Sequence, residues 1–223
     1  RCHKCPSTPE HPEQAILNGI KELGLSGLIA AGHLMVVHGS TVATNAALEG
    51  KGVRTVFISN RGFGDMLTIG RQTRSNLYDL RPPAKVVPVA PELCLETGGR
   101  IGADGRVIQA LTATDIAALK LQIQALKPEA VAINLLFSFI DDRFEKAIAA
   151  AMPKGIFVSR SSEVLPEYKE YERGMATWLN AWLGPKVADY LGRLQAALKT
   201  TPLSVMQSSG GTTDAANASQ RAV

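Results

Sequence analysis

Basic and acidic residues nearly balance in this chain, 24 against 20, and aromatics are scarce at 5%. With no basic cluster to set beside them, a nucleic-acid partner is not expected. No apolar run approaches the length needed to span a bilayer, so no membrane segment is expected either. The N-terminal residues are polar, rich in Pro, His and Glu, and lack the pattern of a signal peptide. Three cysteines are too few for a disulfide framework and fit a reducing, cytoplasmic setting. Cys2-His-Lys-Cys5 has the spacing of half a zinc site or a redox pair. No second Cys/His pair follows at zinc-finger distance, and a redox motif normally starts a helix after a strand. All three cysteines read as structural or incidental, and no metal ligands are assigned.

At 223 residues the chain has room for one large domain or two small ones. Helical and strand patterns alternate through most of it, which predicts an α/β fold. Pro12 suits a first helical position, and Ile16, Ile20 and Leu23 make a helical stripe ending at Gly24. Leu34–Val37 has no polar alternation and reads as a buried strand, followed by a helix to about Gly50–Gly52. Arg54–Ser59 reads as a strand, and Phe63, Met66, Leu67 and Gly70 repeat with helical spacing. Residues 71–111 look different. Four prolines, and the turn signal Ala103-Asp-Gly-Arg106, predict a small β-rich insertion between α/β segments at 4–70 and 112–211.

Past the insertion, Thr112 or Thr114 caps a helix to about Leu126. Ala130–Phe137 is a buried strand, Arg143–Met152 a helix and Ile156–Ser159 a strand. A long helix from Tyr168 to about Leu183 should break before Pro185 and resume to about Leu198. Tyr171, Met175, Trp178 and Trp182 share one of its faces, which reads as core or interdomain packing. Its charges, Glu167, Lys169, Glu170, Glu172 and Arg173, read as a solvated face with i,i+3 and i,i+4 pairs. Leu203–Met206 is a last strand. Residues 212–223 hold too few large apolar side chains to pack and should fray.

The most informative stretch is Leu34-Met-Val-Val-His38-Gly-Ser-Thr41-Val-Ala-Thr44-Asn45. Thr44 and Asn45 are poor helix formers, so packing gives little reason to place them in a first helical turn. A strand running into a polar helix start is where open α/β sheets bind ligands. In the competing reading Ser40 or Thr41 merely caps the helix and His38 is a satisfied turn residue. Spacing alone favours this plainer reading.

Four separated blocks together resemble one family. They are His38–Asn45, Gly62-Phe-Gly-Asp-Met-Leu-Thr-Ile-Gly-Arg-Gln72, Leu165–Arg173 with Leu179-Asn-Ala181, and Val205-Met-Gln-Ser-Ser-Gly-Gly211. Asn76–Leu80 and Val131–Ser138 fit the same alignment. The chain resembles the hydantoinase A / 5-oxoprolinase family, which includes N-methylhydantoinase and the ATP-dependent acetone and acetophenone carboxylase subunits. The resemblance implies a partial lobe of the actin, sugar-kinase and heat-shock-chaperone ATPase fold. It implies ATP and Mg as cofactors of the intact parent, a cyclic amide of the hydantoin or 5-oxoproline type as substrate, and a possible second subunit. Family members open with an Asp-x-Gly-Gly-Thr phosphate loop and carry a second acidic Gly-rich loop. Neither is found here, and Lys4–Pro9 resembles the chain just after the first. The expectation is a fragment that is inactive alone and prone to self-association through its aromatic stripe. A carboxylase subunit and a non-catalytic structural lobe are the competing functional readings.

The resemblance also implies roles. Thr41, Thr44 and Asn45 would hydrogen-bond substrate or phosphate oxygens, and His38 could relay a proton. Arg71 could clamp a carboxylate or phosphate, with Gln72 beside it, although a surface ion pair is the commoner use of such an arginine. Ser208, Gly210 and Gly211 could offer backbone N–H groups to an anion, although a plain turn is the commoner use of Gly-Gly.

Overall fold

The computed structural model describes residues 2–8, 10–73, 78, 80–81, 87–207 and 210–222. In chain order these form α1 (Pro12–Glu22), α2 (Ser26–Ala30), β1 (Val36–His38), α3 (Val42–Leu48), β2 (Thr55–Asn60) and α4 (Met66–Ile69). A 3-10 turn at Pro91–Leu93 leads into β3 (Cys94–Thr97), β4 (Arg100–Ile101), β5 (Val107–Gln109), α5 (Ala113–Leu126) and β6 (Ala130–Asn134). The rest is α6 (Arg143–Ala151), β7 (Phe157–Arg160), α7 (Ser161–Val164), α8 (Glu170–Leu198), β8 (Leu203–Met206), β9 (Thr212–Asp214) and α9 (Ala215–Gln220). The chain divides into two units, one from residues 1–52 and 183–223, the other from 53–182.

The 53–182 unit is built on a four-stranded parallel sheet in the order β3-β2-β6-β7. Every residue of β2 and β6 is buried. That burial explains their unbroken apolar runs, because helices cover both faces of a parallel sheet. Alternate residues divide between the faces. Val56, Ile58, Val131 and Ile133 meet Leu119 and Ile123 of α5 and Ile148 of α6. Phe57, Ala130 and Ala132 meet Leu67 of α4 and Trp178 and Ala181 of α8. Each fully buried Ile, Leu or Phe contributes about 1.5–3 kcal/mol of apolar burial. Trp178 stacks on Trp182 with centroids 5.1 Å apart, so the aromatic stripe is largely core. Thr112, not Thr114, caps α5. Its hydroxyl accepts from the Asp115 N–H at 3.1 Å, and the Asp115 carboxylate accepts from the Thr112 N–H at 2.9 Å.

Residues 71–111 depart from the expected insertion. The Ala103–Arg106 turn does join a hairpin, β4 with β5. But β3 pairs in parallel with β2, and so belongs to the main sheet. Pairing with a strand distant in sequence leaves no local signal in a proline-rich stretch.

In the other unit β1 and β8 run parallel and β9 pairs antiparallel to β8. Leu194, Leu198 and Leu203 pack with Ile16, Ile20 and Val36, while Tyr190 and Leu191 pack with Val42, Val205 and Ala218. Three expectations need correction here. The strand after Leu34 begins at Val36 and is not buried throughout: Met35 is 66% and Val37 49% exposed, because β1 lies at the sheet edge and packs through alternate residues. The helix expected to break before Pro185 continues through it as α8. The ring removes one backbone donor, and the burial of Ala181, Leu183, Tyr190 and Leu191 on either side holds the helix together. The tail expected to fray forms β9 and α9. Asp214 caps α9 by accepting from the Asn217 N–H at 2.8 Å, and small Ala218 suffices to pack against Tyr190 and Leu191.

No helix among the described residues is long and apolar enough to cross a membrane.

Candidate functional site

Parallel pairing of β1 with β8, His38 opposite Val205, sets the carboxyl ends of the two strands side by side. The residues that leave them, 39–41 after β1 and Gln207 after β8, therefore share one edge of the sheet, the edge where parallel α/β sheets bind ligands. A Cβ on Gly39 would lie 3.6 Å from Met206 Sδ, ordinary contact distance between this turn and the end of β8.

Thr41, Thr44 and Asn45 are all exposed, Thr41 in the turn that leaves β1 and Thr44 and Asn45 in the first turn of α3. Thr41 occupies the N-cap position of α3, yet its side chain makes no capping bond. Ser40 takes that part instead, its Oγ accepting from the Val42 N–H at 3.1 Å. Asn45 Nδ2 sits 3.5 Å from Thr41 Oγ1, at the long limit of a hydrogen bond.

His38 is half-buried, and Tyr190 Oη on α8 lies 2.7 Å from its Nε2. Burial pushes the imidazole pKa below its ordinary value, so the ring is mainly neutral at pH 7. Burial pushes the Tyr190 phenol up, opposed by its hydrogen bond with the Ser40 side chain. Tyr190 stands 152 residues from His38, and no local pattern in the sequence marks it as a partner.

The other expected residues are placed differently. The Gly210 N–H donates to Gln207 O at 3.0 Å and Gly211 O accepts from the Gln207 N–H at 2.8 Å, a closed turn with the Gly210 amide already engaged. Ser208 lies outside the described residues. Arg71 and Gln72 belong to the 53–182 unit. Arg71 Nε donates to Glu172 Oε1 at 2.8 Å and the guanidinium lies over the Tyr171 ring, so the ion-pair reading describes it. Gln72 follows with a left-handed backbone, φ 53°.

A second polar cluster, absent from the sequence reading, closes the carboxyl end of β6. Arg173, expected on a solvated face, is wholly buried. It donates to Ser138 Oγ at 2.9 Å and Leu135 O at 2.7 Å, pairs with Glu170, and lies over the Phe139 ring. Buried Glu145 accepts from the Leu135 N–H at 2.9 Å and the Ser161 hydroxyl at 2.6 Å, and Asn60 accepts from the Leu136 N–H at 2.7 Å. The Glu170–Arg173 i,i+3 pair was visible in sequence; its burial was not.

Hydroxyls, an amide and a neutral imidazole form a donor set suited to phosphate or carbonyl oxygens. They do not suit a divalent metal. Among the described residues no three His, Cys, Asp or Glu side chains come together as a metal site, so no residue here is assigned to Mg.

Parallel strands with helices place the chain among α/β proteins, a class whose ligands commonly bind at the carboxyl edge of such strands. Residues 1–155 match the family model of the hydantoinase/oxoprolinase N-terminal region and residues 173–223 that of hydantoinase/oxoprolinase; the chain belongs to this family. It is 31% identical to caprolactamase subunit alpha of Pseudomonas jessenii, over 99% of this chain and 34% of that protein. It is 25% identical to the acetophenone carboxylase gamma subunit of Aromatoleum aromaticum, over 95% of this chain and 32% of that one. The crystal structure of ATP-dependent caprolactamase from Pseudomonas jessenii matches with a TM-score of 0.83 at 30% identity, over 96% of this chain and 33% of that one. The chain spans about a third of the length of these relatives.

Proposed function

We propose that this chain contributes the His38–Asn45 edge to an ATP-dependent hydrolase that opens cyclic amides of the lactam, hydantoin or 5-oxoproline type. Similarity to a caprolactamase along almost the whole chain is the observation that carries this reading. An amide ring resists water because nitrogen leaves poorly and resonance shields the carbonyl carbon. ATP supplies a phosphoryl group to the carbonyl oxygen, which weakens both obstacles. Phosphoryl transfer depends on positioned donors, and the exposed groups of Thr41, Thr44 and Asn45 are of the kind that hold such oxygens. His38 adds a neutral imidazole at the same edge. The two-lobed ATPase architecture of the kinase and actin type, and a second subunit, go with this reading.

The carboxylase reading has its own support in the acetophenone carboxylase relative. Bicarbonate dependence of ATP turnover distinguishes the two. The test is ATP consumption by the full-length protein with a lactam, a hydantoin or 5-oxoproline, and by its His38→Ala and Asn45→Ala variants. Loss of about 10²-fold or more in ring-dependent turnover is expected for His38→Ala. Undiminished activity in both variants removes this edge from the mechanism.

A further inference from the structure

A hydrogen bond from α8 ends on His38: Tyr190 Oη lies 2.7 Å from its Nε2. The Ser40 side chain, whose Oγ accepts from the Val42 N–H at 3.1 Å, also acts on the Tyr190 phenol. The acidities of the groups set the direction of the bond to His38. A phenol O–H, with its ordinary pKa of about 10, is the stronger donor, and an unprotonated imidazole nitrogen is the stronger acceptor. Tyr190 therefore donates to Nε2. An Nε2 that accepts leaves the ring proton on Nδ1. Among the described residues Nδ1 has no hydrogen-bond partner, and it is not sealed from solvent.

We infer that Tyr190, backed by Ser40, is a positioning residue that fixes His38 as its Nδ1–H tautomer, so that the imidazole offers the site a hydrogen-bond donor for an anionic or carbonyl oxygen and not a general base. The tautomer rests on the Tyr190–His38 hydrogen bond alone; its use on a ligand rests on the function proposed above. A Tyr190 serving only to fill the core would leave the tautomer free, and the side chain of free histidine in water prefers the opposite one, with the proton on Nε2.

Nitrogen-15 NMR of the side-chain imidazoles in the 223-residue chain reads the tautomer directly. The four histidines are assigned by the signals lost in His38→Asn. In the parent chain above the His38 pKa, Nδ1 should resonate as a protonated nitrogen and Nε2 as an unprotonated one. Tyr190→Phe should shift the ring toward the Nε2–H form, and Ser40→Ala should do so to a smaller extent. An Nε2–H ring in the parent chain, or a tautomer unmoved by both variants, overturns the inference. Should Tyr190→Phe fail to fold, the parent spectrum and Ser40→Ala still decide. In the full-length protein, His38→Asn carries an amide N–H near the Nδ1 position and should keep turnover within about tenfold. His38→Gln and His38→Ala should lose about 10²-fold or more. Full activity in all three defeats the proposed function and leaves the tautomer result standing.

Discussion

The Arg173 guanidinium donates to the Ser138 hydroxyl at 2.9 Å, tying the first turns of α8 to the loop that leaves β6. The same side chain reaches the Leu135 carbonyl and pairs with Glu170, all without contact with solvent. Replacing it by Met keeps the length and much of the volume but strands the Glu170 carboxylate and two acceptors. Removing one partner of a buried ion pair costs about 3–5 kcal/mol. Arg173→Met should therefore lower the unfolding free energy by that amount, read from denaturant titration. Glu170, whose carboxyl burial already pushes up against the pull of Arg173, should shift further upward. A loss below about 1 kcal/mol would mean that solvent reaches this cluster.

The cap of α5 gives the 53–182 unit an acid-sensitive element. The hydrogen bond from the Thr112 backbone holds the Asp115 carboxyl below its ordinary pKa, helped by the Thr112 side chain and Arg61 against the cost of burial. A depressed folded pKa contributes stability that is fully present above the unfolded value, about 3.9, and lost as pH falls through the folded one. Unfolding followed from pH 6 downward should show this loss beginning near pH 4, and Asp115→Asn should flatten it. Thr112→Ala should cost about 1 kcal/mol at neutral pH. A Thr112→Ala chain as stable as the parent would exclude the cap as a stabilising element.

Gly99 sits at φ +83°, and a Cβ there would lie 3.1–3.2 Å from Phe144 and Leu111 side-chain atoms. Alanine meets both a backbone conformation that side chains disfavour and a tight contact with core residues. Gly99→Ala should destabilise by more than about 1 kcal/mol. Gly155, also at positive φ but with nothing within 4 Å, serves as the control. Alanine there should cost only the backbone strain, about 1 kcal/mol.

What could be read in the chain divides along physical lines. Strands β2 and β6 were legible because burial on both faces leaves runs without polar interruption. The start of α5 was legible because capping chemistry is local to Thr112 and Asp115. β3 was not, since its pairing with β2 is set by the sheet and not by Cys94–Thr97. α8 was mistaken at Pro185 because proline's local penalty carries no information about the burial that outweighs it. Arg173 looked like one more surface charge, and only the β6 loop folding over it makes it core. At the candidate site Thr44 and Asn45 stood out by their poor fit to a helix, and both lie in the first turn of α3. Tyr190 was not, because a hydroxyl pointing at a histidine from a distant helix has no pattern in sequence.

Thr44 and Asn45 separate structural from functional explanations by the sign of their effects. Both are exposed, the Thr44 side chain has no hydrogen-bond partner among the described residues, and the Asn45 side chain has one long contact. Alanine is the better helix former at either position, by a few tenths of a kcal/mol. If these residues exist only to build α3, Thr44→Ala and Asn45→Ala should hold or slightly raise the melting temperature and leave turnover alone. If they hold ligand oxygens, each should remove a hydrogen bond to a charged group, worth about 1.5–3 kcal/mol, and so roughly ten- to a hundredfold in turnover or affinity. The expected outcome is the second, with stability unchanged or slightly higher and ATP-dependent turnover of the full-length protein lower. Variants that lose stability by more than about 1 kcal/mol would place these side chains in the packing and take them out of the site.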